Sequence, residues 1–407
     1  MRFLYNIGIY LFCFVCKVIS LFNHKIKTMI DGQSKTFALL GKIGKDDKVI
    51  WFHCSSLGEF EQARNLIETI KTEHPNHKIL LSFFSPSGYE VRKNYDKADW
   101  VVYLPIDTKR NAKKFVELAH PSLVFFVKYE FWYNYIRELK ETPLFQVSLI
   151  LRKNHYLTRF YSAWFVKQLK NFTTFFVQDA LTKDILLSLG YKNAILCGDT
   201  RFDRVSQISK EEKHFPLIEE FCKGGKKIFI AGSSWEQDEK IIAESLLKRD
   251  DIKIILAPHK TQEEHIRKIE KLFPDALRYS LANERNIQNS EVLIIDCIGI
   301  LSKIYSLSHI VYIGGGFGEG IHNILEAAVF YKPVAFGPNN KKFKEARDLL
   351  SQKAATEIHS AHDLFAWADA LLRDSGLYER VCRLSGDYVK NNVGATQKIL
   401  NNIAEYL

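Results

Sequence analysis

His309-Ile-Val-Tyr-Ile-Gly-Gly-Gly-Phe-Gly-Glu-Gly-Ile-His-Asn-Ile-Leu-Glu-Ala-Ala-Val-Phe-Tyr331 is the stretch on which the reading of the chain turns. It opens with a short apolar run, His309 to Ile313, bounded by glycine, which is how a buried parallel strand reads. Gly314, Gly315, Gly316, Gly318 and Gly320 follow, and then a helical pattern from about Ile321 with Leu325, Ala328 and Val329 on one face. Strand, glycine turn and helix make half a βαβ unit. The first turn of such a helix offers unpaired N–H groups and the positive end of its dipole, which suits a phosphate. Asn323 and Glu326, three apart, share a face near that end. The spacing is neither G-x-G-x-x-G nor a Walker A loop, so a plain tight turn stays open beside a phosphate site.

Working outward, the same alternation repeats. In the first half, apolar runs at Val49–Cys54, Ile79–Phe84, Trp100–Leu104, Leu123–Val127, Phe145–Ile150, Phe175–Gln178 and Ala194–Cys197 read as strands. A second series runs through Lys227–Ala231, Ile252–Ala257, Val292–Ile295, Ile310–Ile313, Val334–Phe336 and Ala354–Ile358. Helical patterns lie between them, so the class is α/β with parallel sheets covered on both faces. The polar stretch 203–225, with Pro216 and Gly224-Gly225, reads as an interdomain connector. The expected division is an N-terminal hydrophobic segment 1–24, a Rossmann-like domain 25–203, a linker 204–225, a second Rossmann-like domain 226–385, and a C-terminal helix 386–407 packing back on the first domain. Two such halves facing a cleft would bind ligand at the carboxyl ends of their strands.

Residues 3–22 are apolar but for a few positions such as Asn6 and Lys17, close to the length a bilayer-spanning helix needs. An interfacial helix with Lys17 snorkelling fits equally, and no small-x-small cleavage site marks a signal peptide. Lys25, Lys27 and Lys35 downstream favour a membrane anchor that keeps the remainder cytoplasmic. The 57 Lys+Arg against 47 Asp+Glu are scattered, which suits a soluble basic surface or attraction to an anionic ligand or membrane face. No zinc-finger, helix-turn-helix or RNA-binding signature is present, so no nucleic-acid partner is expected. Cys54, Cys197 and Cys297 sit in apolar, strand-like runs and are expected as buried, reduced thiols. No H-E-x-x-H or compact His/carboxylate cluster asks for a metal.

Polar residues gather where strands end. Glu59, in Ser55-Ser56-Leu57-Gly58-Glu59, is a candidate general base or a helix-capping carboxylate. Lys128-Tyr129-Glu130-Phe131-Trp132-Tyr133-Asn134 combines a carboxylate, aromatics and an amide, as a sugar site would, or starts a helix with Phe131 and Trp132 in the core. Arg201, in Gly198–Asp203, could take a phosphate or carboxylate, or close a turn by a salt bridge. Ala231-Gly232-Ser233-Ser234-Trp235-Glu236 could hold an anion or form a serine N-cap with Glu236 or Glu239 downstream. Pro258-His259-Lys260 and Asp296-Cys297-Ile298-Gly299 end two further strands.

Taken in order, these motifs resemble the Kdo transferase family, which adds 3-deoxy-D-manno-octulosonic acid (Kdo) to lipid A precursors. The family's His-x-x-Ser-x-Gly-Glu is similar to His53-Cys54-Ser55-Ser56-Leu57-Gly58-Glu59, and its Glu-Thr-Glu-Leu-Trp-Pro-Asn to Lys128–Asn134. Its Gly-x-x-Lys-Phe-Asp is similar to Gly198–Asp203, and its Gly-Gly-His-Asn-x-Leu-Glu to the run ending Gly320-Ile321-His322-Asn323-Ile324-Leu325-Glu326. The family's later Gly-Pro-His…Asn-Phe is similar to Gly337-Pro338-Asn339…Lys342-Phe343. The resemblance implies a GT-B glycosyltransferase fold, a CMP-Kdo donor held by the C-terminal half, a lipid A precursor (lipid IVA) as acceptor, and no metal or other cofactor. It implies Glu59 as the base and Glu130 as the second catalytic carboxylate. It implies donor contacts at Pro258, His259, Lys260, Gly299, Gly315, Gly316, His322, Asn323 and Glu326. Ser56, Arg201 and Ser233 are candidate phosphate or carboxylate contacts. The implied location is the cytoplasmic face of the inner membrane, whose anionic surface would be a further partner. The chain departs from the pattern where His259-Lys260 stands for Arg-His, Ile298-Gly299-Ile300-Leu301 for Met-Gly-Glu-Leu, and Gly316, Ile321 and Tyr133 for Ser, Gly and Pro. Another GT-B enzyme, such as a nucleotide-sugar epimerase or a different glycosyltransferase, and a non-catalytic nucleotide-binding protein are the alternatives.

Overall fold

A computed structural model describes residues 1–407. Contacts divide the chain into two units, Met1–Arg204 with Val393–Leu407, and Val205–Asn392. The first holds seven strands: β1 (Val49–Cys54), β2 (Lys78–Phe83), β3 (Trp100–Tyr103), β4 (Leu123–Val127), β5 (Leu144–Leu149), β6 (Thr174–Val177) and β7 (Ala194–Leu196). They pair in parallel in the order β3-β2-β1-β4-β5-β6-β7. Every residue of β1, β4 and β5 is buried, which is why these strands read as continuous apolar runs. Trp51, Val124 and Phe126 pack on one face of the sheet, while Phe52, Phe125 and Phe145 pack on the other. The second face is completed by the chain's C-terminus: Ile399, Leu400 and Ile403 of helix Ala395–Ile403 join that cluster.

The second unit has its own sheet of β8 (Lys227–Ser234), β9 (Ile252–Pro258), β10 (Leu277–Arg278), β11 (Val292–Ile294), β12 (Ile310–Ile313), β13 (Val334–Phe336) and β14 (Ala355–Glu357). Its order is β10-β11-β9-β8-β12-β13-β14, again parallel throughout. In both sheets the chain crosses from one half of the sheet to the other at a single place, between β1 and β4 and between β8 and β12, although in the second sheet β10 lies outside β11. Such a switch point opens a crevice at the carboxyl ends of the two strands.

Four local expectations change. The polar stretch before β1, in which no element is expected, is helical: after α1 (Arg2–Ile19), α2 (His24–Leu40) fills it and packs on β3. The polar composition of α2 hid a sparse buried stripe, Met29, Thr36 and Leu40, and its Gly32 lies where an added Cβ would meet the Tyr103 ring at 2.2 Å. The stretch 203–225 is also structured, carrying helix Thr200–Lys210 and helix Pro216–Phe221. The helix expected from about Ile321 is one turn, Leu325–Ala328. Cys297 is exposed, in the turn after β11, whereas Cys54 and Cys197 are buried.

Candidate functional site

In the first unit the two strands of the switch point carry the two candidate carboxylates. β1 runs into Ser55-Ser56, and α3 (Leu57–Glu73) starts there with Glu59 in its first turn. The Ser56 hydroxyl donates to Glu59. Lys128, the residue after β4, places Nζ 3.6 Å from Glu59 Oε1. Lys128 has φ +71, a left-handed backbone that costs a residue with a Cβ about 1 kcal/mol. Its N–H donates to Val147 O at 2.8 Å and its carbonyl accepts from Gln146 Nε2 at 2.8 Å, which holds the bend.

That bend delivers Glu130 against buried His53. Trp132 Nε1 lies 2.6 Å from Glu130 Oε2 and 3.0 Å from His53 Nε2. Its proton goes to the carboxylate, the shorter and charge-assisted partner. His53 Nε2, 3.3 Å from Glu130 Oε2, then donates to it, while His53 Nδ1 accepts from Ser82 Oγ at 2.9 Å. Burial pushes the Glu130 carboxyl up, but the donors His53, Ser55 and Trp132 outweigh it and leave it below the usual carboxylate value. Glu130 is therefore a held anion, and Phe131 is core as one reading of this motif had it.

The motif Gly198–Asp203 is taken up by structure. Arg201 forks onto Asp199 through Nε and Nη2 at 2.9 and 2.7 Å. Asp203 accepts the Thr396 N–H and hydroxyl at 2.6 and 2.8 Å, capping the C-terminal helix. The salt-bridge reading of Arg201 is the one the geometry matches.

At the switch point of the second unit, rings replace carboxylates. Trp235 follows β8 and stacks on His259 at 4.8 Å, and His259 meets His322 at 4.5 Å. Trp235 Nε1 donates to His322 Nε2 at 3.1 Å, so that nitrogen carries no proton. Burial and neighbouring His259 push the His322 imidazole down to about 4, and burial with Lys260 lowers His259. Lys260 Nζ stands 4.9 Å over the Trp235 ring. Pro258 is the buried last residue of β9 and positions both. Ser233 takes a left-handed φ of +53, and Ser234, not Ser233, donates to Glu239, at 2.9 Å. The N-cap of helix Glu236–Leu246 is Trp235 rather than a serine, its N–H donating to Asp238 at 2.9 Å.

The glycine loop closes on itself. Gly315 donates its N–H to Asp238 at 2.9 Å, Gly318 and Gly320 donate to Gly315 O, and His322 donates to Gly314 O. These four N–H groups are used inside the unit. Gly315 and Gly316 are required by close approach: an added Cβ would lie 2.4 Å from Gly320 O and 2.5 Å from Gly337 N. Beyond the loop, Asn323 Nδ2 donates to Glu326 Oε1 at 3.0 Å, so this pair does share a face. Gly299 lies apart, in an exposed turn at φ +102. Sequence reasoning passed over Asp238, Trp235 and His53 as functional groups. A carboxylate three residues after an N-cap was the available signal for Asp238.

Residues 32–204 match the sequence profile of the 3-deoxy-D-manno-octulosonic-acid transferase (kdotransferase) family. A 3-deoxy-D-manno-octulosonic acid transferase of Rickettsia bellii is 27% identical over 387 residues, covering 90% of this chain and 89% of that one. A bifunctional glycosyltransferase/methyltransferase of Fusobacterium nucleatum is 27% identical over 408 residues, covering 94% of this chain, which spans only 62% of its length. Among solved structures, the UDP-GlcNAc 2-epimerase of Neisseria meningitidis bound to UDP-GlcNAc superposes with a TM-score of 0.63 at 15% identity, over 88% of this chain and 100% of that one. That likeness speaks for the fold alone, the GT-B fold of two Rossmann-like domains. The profile match covers most of the unit that presents Glu59 and Glu130, and the similarity to the transferase relatives extends through the second unit as well: over nearly its whole length the chain is similar to Kdo transferases.

Proposed function

We propose that the chain transfers Kdo from CMP-Kdo to a lipid A precursor, lipid IVA, with inversion. The observation that carries the reading is the placement of Glu59 at the β1/β4 switch point, with Ser56 and Lys128 on its carboxylate. Glu59 takes the proton of an acceptor hydroxyl as its oxygen bonds to the anomeric carbon of Kdo. The bond from that carbon to the CMP phosphate oxygen breaks, and CMP leaves from the opposite face with the electron pair. Glu130, fixed by His53 and Trp132, stays ionised and orients its surroundings rather than exchanging a proton. Lys260 meets the departing phosphate, since Arg201 is engaged by Asp199. Asn323 and Glu326 hold the nucleotide, and the Trp235–His259–His322 ladder gives it a flat, uncharged wall. The step as written uses no metal.

The acceptor reading is supported by the surface of the first unit. Helix α1 is apolar and long enough to cross a membrane, yet it is not a core helix. Tyr5, Asn6, Ile9, Cys13 and Cys16 turn toward the protein, while Phe3, Leu4, Leu11, Phe14 and Val18 face outward. Phe22 and Phe160 are 88% and 92% exposed. Contacts along the inward stripe favour a helix lying in the membrane interface over one leaving the body to span it. The cytoplasmic face of the inner membrane, where an anionic surface meets the chain's net charge of +10, is the proposed location. Incubation with CMP-Kdo and lipid IVA, products weighed by mass spectrometry, tests the reading. Turnover of a UDP-sugar but not CMP-Kdo would replace it with another GT-B activity.

A further inference from the structure

The first unit contains a polar connection between α1 and the Glu130 site. Asp107, in the segment after β3, is fully buried. Its carboxylate accepts the N–H groups of Asn134 and Tyr135 at 3.0 and 3.1 Å, capping helix Tyr133–Glu138 from outside. A carboxylate there also complements the positive end of the helix dipole. The N-cap of that helix is Trp132, the residue that donates to Glu130. The third group on this carboxylate comes from the N-terminal helix: Tyr5 donates its hydroxyl to Asp107 Oδ2 at 2.6 Å. Asn134 Nδ2, which also donates to Asp107 O at 2.7 Å, reaches Asn6 Oδ1 at 3.0 Å. The Tyr5 ring is seated by Tyr133 at 5.2 Å and Trp164 at 5.8 Å.

An anchor needs none of this. Apolar surface alone would attach α1 to lipid, and two hydrogen bonds to buried groups more than a hundred residues away serve no membrane contact. We propose that Tyr5 is a positioning residue: through Asp107 it sets the start of helix Tyr133–Glu138, and so the Trp132–Glu130 pair, making α1 part of the catalytic domain. The surface that meets lipid is thereby one side chain from the site, and residues 1–24 are not a detachable anchor. The inference rests on the transferase reading above.

The test is Tyr5→Phe in the full chain, which keeps the ring packing and removes the hydroxyl. With kcat expressed per CMP-binding site, kcat is expected to fall about 10-fold, as small misplacements at a reacting centre do. KM for the donor and co-sedimentation with anionic phospholipid vesicles are expected to stay within about twofold, because neither the ring packing nor the lipid-facing surface changes. A role confined to folding would lower the yield of CMP-binding sites and leave kcat per site alone. A second chain replaces residues 1–24 by an unrelated spanning helix, and is expected to sediment with membranes while losing at least as much kcat per site. Wild-type kcat in Tyr5→Phe, or full kcat in the replaced chain, overturns the proposal. If the wild type uses a different donor, the same ratios are read with that donor, so failure of the donor assignment is told apart from failure of this one.

Discussion

The two switch points occupy equivalent places in two parallel sheets and are built from opposite chemistry. Between β1 and β4 stand two carboxylates, a lysine and an imidazole, joined by charge-assisted bonds. Between β8 and β12 stand an indole, two neutral imidazoles and a glycine loop whose N–H groups are turned inward. On the function proposed above, the first moves a proton and the second holds a flat ligand without competing for protons. Their surfaces differ in the same sense: the first unit exposes the outer face of α1, Phe22 and Phe160, whereas the second exposes large apolar side chains only singly, such as Ile298 and Phe365. One scaffold thus supports two roles because the strand ends, not the sheets, carry the chemistry.

The largest effect that would break this contrast is at Glu59. Glu59→Gln is expected to cut kcat by about 10²–10⁴-fold while CMP affinity, measured by calorimetry, stays unchanged. Retained turnover would leave the first switch point without its base. Next, serine at Phe14, Leu21 and Phe22 together is expected to weaken vesicle binding by at least about 100-fold, since each buried apolar side chain contributes about 1.5–3 kcal/mol. Unchanged sedimentation would remove the lipid-facing role of the first unit. In the second unit, Glu326→Ala should raise KM for the donor about 10-fold with kcat per site little altered, the loss of a hydrogen bond of about 1–1.5 kcal/mol. A loss confined to kcat would move Glu326 into the chemistry.

The smallest effect is in pH. His322 titrates at about 4 in the folded chain, against about 6.5 in an unfolded one. Between those values the unfolded chain binds the extra proton, so stability falls as pH drops from about 6.5 to about 4. His322→Gln should flatten that part of the decline in urea unfolding followed from pH 7 to pH 4.5. An unaltered slope would mean that the ladder does not hold His322 neutral. Glu130 works over a more acidic range: its folded value is depressed, so the stability it contributes is present above the ordinary Glu value near 4.3 and fades below it.

Much of this was legible in local pattern. Thirteen of the fourteen strands lie where apolar runs end in polar turns, because a strand buried on both faces must be apolar at every position. The two-residue β10 left no such run. The strand-end motifs pointed to Glu59, Glu130, Asn323 and Glu326, and the structure sets each on a switch-point strand's loop or helix.

What the sequence determined by itself, then, was the alternation of elements, the doubly wound class and the resemblance of its strand-end motifs to those of Kdo transferases. Each follows from residues close together along the chain, whose periodicity records whether a face is buried. Tertiary structure alone decided which polar groups spend their hydrogen bonds on the protein. The N–H of Gly315 goes to Asp238, 77 positions away, and Tyr5 reaches Asp107 across 102 positions. No local period encodes such pairings, because they depend on where the sheets carry distant segments. For the same reason an apolar helix that reads as an anchor proves to have a polar side bonded into the domain that carries Glu130.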